Sequence, residues 1–297
     1  MKIVLAENFR TVFYTPFYAA YAKGEFARLG IDVSFVESPT PGSAIELMYQ
    51  GKVDVVWGGP LRAIKLRDDQ APVDKALLAF CEVVGKDPFF LVTSIPETPA
   101  NHFALSDLMT ARLAVVSEVP TPWLCLQEDI RDAGLNPSDI DIVSDKTMAQ
   151  NLEAVLDGSV AYAQLFEPYV SLAVQRGARI VYKSADRGMT AYTTFLSTAS
   201  SIERNREAFE HMATAIENVR DWINHAEPSE IVQQVKPFYP HIDTDVLETC
   251  IARYQKLGLW TCQRKISEDG FYRLRQSMKN GSFINSLPQY DQCVIAI

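Results

Sequence analysis

Gly51-Lys52-Val53-Asp54-Val55-Val56-Trp57-Gly58-Gly59-Pro60 and Gly158-Ser159-Val160-Ala161-Tyr162-Ala163-Gln164-Leu165-Phe166-Glu167-Pro168 are two versions of one phrase. Each opens on a glycine suited to close a helix in left-handed backbone. Each continues as an apolar run of buried-strand length and stops at a proline. A helical stretch precedes each, Ser43–Tyr49 in the first and Met148–Leu156 in the second. Further back lies a strand, residues 31–36 with apolar side chains alternating at period two, matched by residues 140–143. Before those, Thr15-Pro16 and Thr121-Pro122 each begin a helix, Thr as the cap and Pro at the first helical position. Each of those helices follows an apolar strand, Ile3-Val4-Leu5-Ala6 or Leu113-Ala114-Val115-Val116.

The same order of signals twice predicts an α/β protein of two βαβ lobes. In open α/β sheets ligands bind at the carboxyl ends of the strands, where loops and helix N-termini converge. In the first lobe these loops are residues 8–15, 40–43 and 58–62, and in the second 117–121, 145–147 and 167–169. From residue 202 onward the pattern is helical, over residues 207–222, 229–238, 244–257 and 267–278, a buttress without visible chemistry. Residues 192–196 read as a strand returning to the first lobe. The expected lobes are therefore residues 1–88 with 188–297, and residues 89–187, joined by a hinged pair of crossings.

Composition narrows the function. The 297 residues are 47% hydrophobic and 22% charged, as in a protein with a substantial core, and the net charge of −9 argues against nucleic acid as partner. No apolar run approaches the ~18 residues of a membrane span. The opening residues lack the ~7–15-residue apolar core of a secretory leader, leaving either a cytoplasmic protein or a mature exported one. Five cysteines without CxxC spacing make no disulfide framework or zinc site, and His102, His211, His225 and His241 have no metal-ligand spacing. Neither a nucleophile elbow nor a phosphate-binding glycine loop is present. No cofactor is expected, and nothing demands an oligomer.

Candidate ligand contacts come from the strand-end loops. Asn8 offers a polar hook, Phe9 and Tyr14 aromatic faces, and Ser43 a hydroxyl at a helix start. Gly58-Gly59 lets a ligand approach backbone N–H groups, or is an ordinary strand-to-helix turn. Arg10, Arg62 and Arg187 suit a carboxylate or sulfonate in bidentate fashion. Ser117 and Thr121 line the matching loop of the second lobe, and Tyr192 lies on the return strand. Trp57 and Trp123 offer stacking surface, Trp57 alternatively being core. Glu167 follows a buried strand, where its carboxylate either faces a ligand's amino group or compensates a helix N-terminus. Cys125 is the thiol nearest these loops and reads as buried in an apolar stretch.

Pro16-Phe17-Tyr18-Ala19-Ala20, Lys23-Gly24-Glu25-Phe26, Gly30-Ile31-Asp32-Val33, Gly51-Lys52-Val53-Asp54 and Phe166-Glu167-Pro168-Tyr169 resemble one large family. These are the substrate-binding proteins of nitrate, sulfonate and thiamine-pyrimidine ABC transporters, and the resemblance spans residues 1–195. It implies the type II periplasmic-binding fold, with a ligand cleft between two lobes, hinge closure and a helical C-terminal extension on lobe 1. It implies capture of a small polar or aromatic solute, thiamine-pyrimidine-like or a sulfonate or carboxylate, for delivery to a transporter permease at the periplasmic or outer cell surface. In pyrimidine binders of this family a glutamate like Glu167 makes the amino contact. The fold also includes a pyridoxal-phosphate-consuming thiamine-pyrimidine synthase. Its cofactor lysine and histidine fall where this chain has Gly58 and Arg62, and its cysteine motif where this chain has residues 189–194, so that activity is not expected. An aromatic-acid lyase on the same fold is the remaining enzymatic alternative.

Overall fold

The computed structural model describes residues 1–7, 9–37, 42–96, 102–261 and 263–297. The chain forms two compact units, Met1–Lys86 with Gly188–Ile297, and Asp87–Arg187. The first crossing lies two residues before the expected one. The reason is local: the Asp87 carboxylate accepts from Phe89 N and from Arg187, both within the second unit.

The first unit begins with β1 (Lys2–Ala6), β2 (Asp32–Val36), β3 (Val55–Gly58) and β4 (Leu77–Lys86). The second contains β5 (Phe90–Thr93), β6 (Arg112–Ala114), β7 (Asp141–Val143), β8 (Tyr162–Leu165) and β9 (Arg179–Lys183), after which β10 (Met189–Thr198) rejoins the first. The sheets run β2-β1-β3-β10-β4 and β7-β6-β8-β5-β9. In each, the first three strands are parallel and the fourth is antiparallel to both neighbours. The repeated phrase thus occupies the same place twice, as β3 and β8. Strands β4 and β5 are buried almost throughout and carry no period-two signal, because continuous apolar runs are what strands covered on both faces require.

The two Thr-Pro helices are Thr15–Ala22 and Thr121–Asp132, but the threonines do not cap them. Tyr14 and Pro120 hold the cap positions, one residue earlier than expected. A 3₁₀ turn, Val12–Tyr14, leads into the first helix, and the Thr15 hydroxyl donates backward to Val12 O at 2.7 Å. The helix-ending glycines behave as read: Gly51 and Gly158 have φ of 70° and 79°.

The first core is aromatic. Trp57 is wholly buried and stacks on Phe17 with ring centroids 4.3 Å apart, so it belongs to the core. Phe80 stacks between Phe195 and Phe209, joining β4, β10 and helix Arg206–His225. The helical tail packs on this unit, and Trp260 Nε1 donates to Phe13 O at 3.0 Å. The core of the second unit is largely aliphatic, built on Leu91, Leu108, Leu113, Val115, Leu126 and Ile130, with Trp123 packed against it.

Candidate ligand-binding site

At the carboxyl end of β1 a charged network forms around Glu7, which is 3% exposed. Arg10 Nη2 donates to Glu7 Oε1 at 2.5 Å and to Glu37 Oε1 at 2.9 Å, and Tyr18 donates to Glu7 Oε2 at 3.0 Å. Glu7 is the main reason the Arg10 guanidinium holds its proton more tightly than usual, and burial pushes the Tyr18 phenol up. Arg10 is engaged by two carboxylates, which leaves it little positive field for an anionic ligand.

Beside this network Phe9, Phe13 and Tyr14 make edge-on contacts, with Phe9–Tyr14 centroids 5.4 Å apart and Phe13–Tyr14 4.4 Å apart. Tyr192, from β10, meets Phe13 edge-on at 6.0 Å. Phe13 and its ring were not singled out in the sequence, where it looks like any apolar residue of a Val-Phe-Tyr run. At the end of β3, Thr194 Oγ1 donates to Gly58 O at 3.3 Å. A Cβ on Gly59 would come within 3.2 Å of the Tyr192 carbonyl, the close approach that favours glycine there.

Arg62 arches over this turn: a Cβ on Gly58 would lie 3.6 Å from its Nε. The side chain is half-buried, and burial pulls its guanidinium below the ordinary arginine value, opposed by the Tyr14 phenol. A guanidinium at a strand end offers a planar set of donors that suits a carboxylate or sulfonate. Ser43 is the first residue of helix Ser43–Tyr49 and half-buried. Asn8 and Thr40 lie outside the described residues.

In the second unit several of the predicted groups are engaged by neighbours within the unit. Glu167 is fully buried, and its carboxylate accepts from Ser171 N at 2.9 Å and Ser171 Oγ at 3.1 Å. It binds the first turn of helix Tyr169–Gln175, the helix-terminal role weighed for it above. Ser117 Oγ donates to Lys146 O at 2.7 Å, and the neighbouring Glu118 accepts from Met148 N at 2.8 Å, so this loop is tied to the next helix start. Thr121 is half-buried in the first turn of its helix. Arg187 is no ligand hook, because Nη1 donates to Asp87 Oδ2 at 2.5 Å and Nε to Asp129 Oδ1 at 2.9 Å. These partners stand 100 and 58 residues away, and no local pattern announces them. Cys125 is 1% exposed. Among the described residues, no cluster of His, Cys, Asp and Glu has metal-binding geometry, and no helix is long and apolar enough to cross a membrane.

Comparison with known proteins agrees with this architecture. A binding protein of Bacillus subtilis (strain 168) named YtlA is 26% identical over 297 residues, 99% of this chain and 87% of that protein. The aliphatic sulphonate binding protein SsuA of Escherichia coli superposes with a TM-score of 0.75 at 17% identity, covering 98% of this chain and 96% of that one. The alkanesulfonate-binding SsuA of Xanthomonas axonopodis pv. citri gives 0.73 at 14% identity, over 100% and 98%. A Candida albicans protein described as having the generic periplasmic binding protein fold gives 0.68 at 12% identity, over 99% and 96%. The NMT1/THI5 like profile matches residues 12–231, from the aromatic loop through both sheets into the helical tail. This chain belongs to the NMT1/THI5-like family and has the periplasmic-binding-protein fold.

Proposed function

We propose that this protein is the solute-binding component of an ABC-type importer, and that its solute is a small organic acid, a sulfonate or carboxylate with a flat or apolar body. The observation that carries the reading is Arg62, a half-buried guanidinium arched over Gly58 beside the Tyr14 ring. An acid end can accept a charge-assisted bidentate contact from such a guanidinium. The Phe9, Tyr14 and Tyr192 rings suit the body.

The carboxylates that would read a basic pyrimidine are already engaged, Glu7 by Arg10 and Tyr18, and Glu167 by Ser171. Two of the fold relatives are named for sulfonates, and one of them holds MOPS. The protein acts as a binder rather than an enzyme, meets the permease of its transporter, and works at the outer face of the cytoplasmic membrane.

A thermal-shift and calorimetry panel of methanesulfonate, benzenesulfonate, benzoate, nitrate and 4-amino-2-methylpyrimidine tests this. At about 100 times its dissociation constant a ligand adds about 2.7 kcal/mol of stability. An acid is expected to give that shift, and Arg62→Met to weaken it by about 100-fold, as when one partner of a desolvated charge pair is truncated. Binding of the aminopyrimidine alone, unaffected by Arg62→Met, would overturn the reading.

A further inference from the structure

Opposite the turn at Gly58, the two longest strands of the first sheet go out of step. From Met189 to Thr193 β10 advances four residues while its partners on β4 run only from Lys86 to Val84. Strand β4 then takes up the difference, and Thr194 pairs with Glu82 and Phe195 with Phe80. Each strand carries a non-glycine residue in left-handed backbone within this region, Ala191 at φ 48° and Cys81 at φ 53°. Such residues persist only where surroundings over-determine them, and they concentrate at functional sites. The bulge also leaves Thr193 Oγ1 buried without a hydrogen-bond partner among the described residues.

The surroundings that impose the bulge come from the helical tail. Helix Glu268–Asn280 starts against it, and Gly270 is where the two backbones meet. A Cβ there would lie 2.8 Å from Ala191 N, 3.1 Å from Thr190 N and 3.2 Å from the Met189 carbonyl carbon. Gly270 has no left-handed torsion to explain it, so glycine is required by contact alone. The helix start is fastened from both sides: Ser267 Oγ accepts from Gly270 N at 3.0 Å, and Ser267 N donates to Glu82 Oε1 at 3.4 Å. The next residue after the bulge's apex is Tyr192, whose carbonyl abuts Gly59 and whose ring meets Phe13.

We propose that helix Glu268–Asn280, through Gly270 and its Ser267–Glu82 fastening, is a specificity-determining element that positions Tyr192 against the body of the ligand. The inference rests on the acid-binding reading for its ligand, but the positioning of Tyr192 stands on its own. Gly270→Ala pushes the bulge away, and Ala191→Gly relaxes it without adding an atom, so one variant remains if the other fails to fold. Two readouts are taken: the Tyr192 resonance in 3-fluorotyrosine-labelled protein, assigned with Tyr192→Phe, and the ratio of benzenesulfonate to methanesulfonate dissociation constants.

In both variants the resonance is expected to move, and the preference for the aromatic sulfonate to fall at least fivefold. An unmoved resonance overturns the proposal, and so does loss of both affinities by one common factor. If the unaltered protein binds neither sulfonate, the acid reading fails while the resonance still decides the positioning.

Discussion

The two units share a sheet order but differ in how one buried acid is held. In the second, buried acids are answered inside the unit: Asp87 and Asp129 by Arg187, Glu167 by Ser171. In the first, buried Glu7 is answered by Arg10 and Tyr18, whereas Glu82 is buried on β4, accepts from Ser267 N at 3.4 Å, and has its carboxyl raised by burial to about 8. Arg62 in the same unit is a cation partly withdrawn from water. Asp87 is thus held as an ion pair with Arg187, whereas burial favours the neutral form of Glu82. The same topology therefore accommodates a buried ion pair in one unit and a buried neutral acid in the other.

Breaking the internal pairing should have the largest effect on stability. Arg187→Met leaves Asp87 and Asp129 buried without their cation and is expected to cost about 4 kcal/mol, the scale for opening a buried pair from one side. Combining it with Asp87→Asn and Asp129→Asn should restore most of that loss in urea titrations. If the single variant is as stable as the parent, the second unit does not depend on its internal charges.

The Glu82 side of the comparison is read by pH. Its carboxyl is raised in the folded protein relative to the ordinary 4.5, so the native state holds a proton that the unfolded chain has released. Stability from this group is full below pH 4.5 and declines as pH rises toward 8. Linkage makes that decline about 3 kcal/mol between pH 5 and pH 8. Glu82→Gln should flatten this part of the stability–pH curve, and an unchanged slope would show that Glu82 is ionised in the fold.

The smallest effect concerns Glu167. Ser171→Ala removes the hydroxyl bond to it and should cost about 1 kcal/mol, the scale of a typical hydrogen bond. Affinity for every member of the ligand panel should stay the same. A gain in aminopyrimidine affinity would instead mean that Ser171 competes with a ligand for this carboxylate, and the contrast between the units would weaken.

Much of the architecture is legible along the chain because its signals are local. The Gly-strand-Pro phrases, the Thr-Pro starts and the alternating strand 31–36 depend on neighbours within one turn or one strand. The misplacement of the helix caps by one residue shows the limit. Thr15 has a competing acceptor three residues back in a 3₁₀ turn, and propensity cannot rank two local hydrogen bonds. The candidate site was legible as a set of loops, with Phe9, Tyr14, Gly58, Gly59, Arg62 and Tyr192 brought together in the first unit. The i,i+3 spacing of Glu7 and Arg10 is itself a local sign of their pairing, whereas nothing local marks the partners of Arg187.

By itself the sequence determined the two-fold repetition, the fold class and the family, since these follow from periodicity, punctuation and residue types that act over short spans. Which charges are answered, where β10 bulges and why residue 270 must be glycine were decided by tertiary structure alone. Each depends on groups tens to hundreds of residues apart meeting within a few ångströms, and burial at that range sets both the cost of a charge and the room for a Cβ.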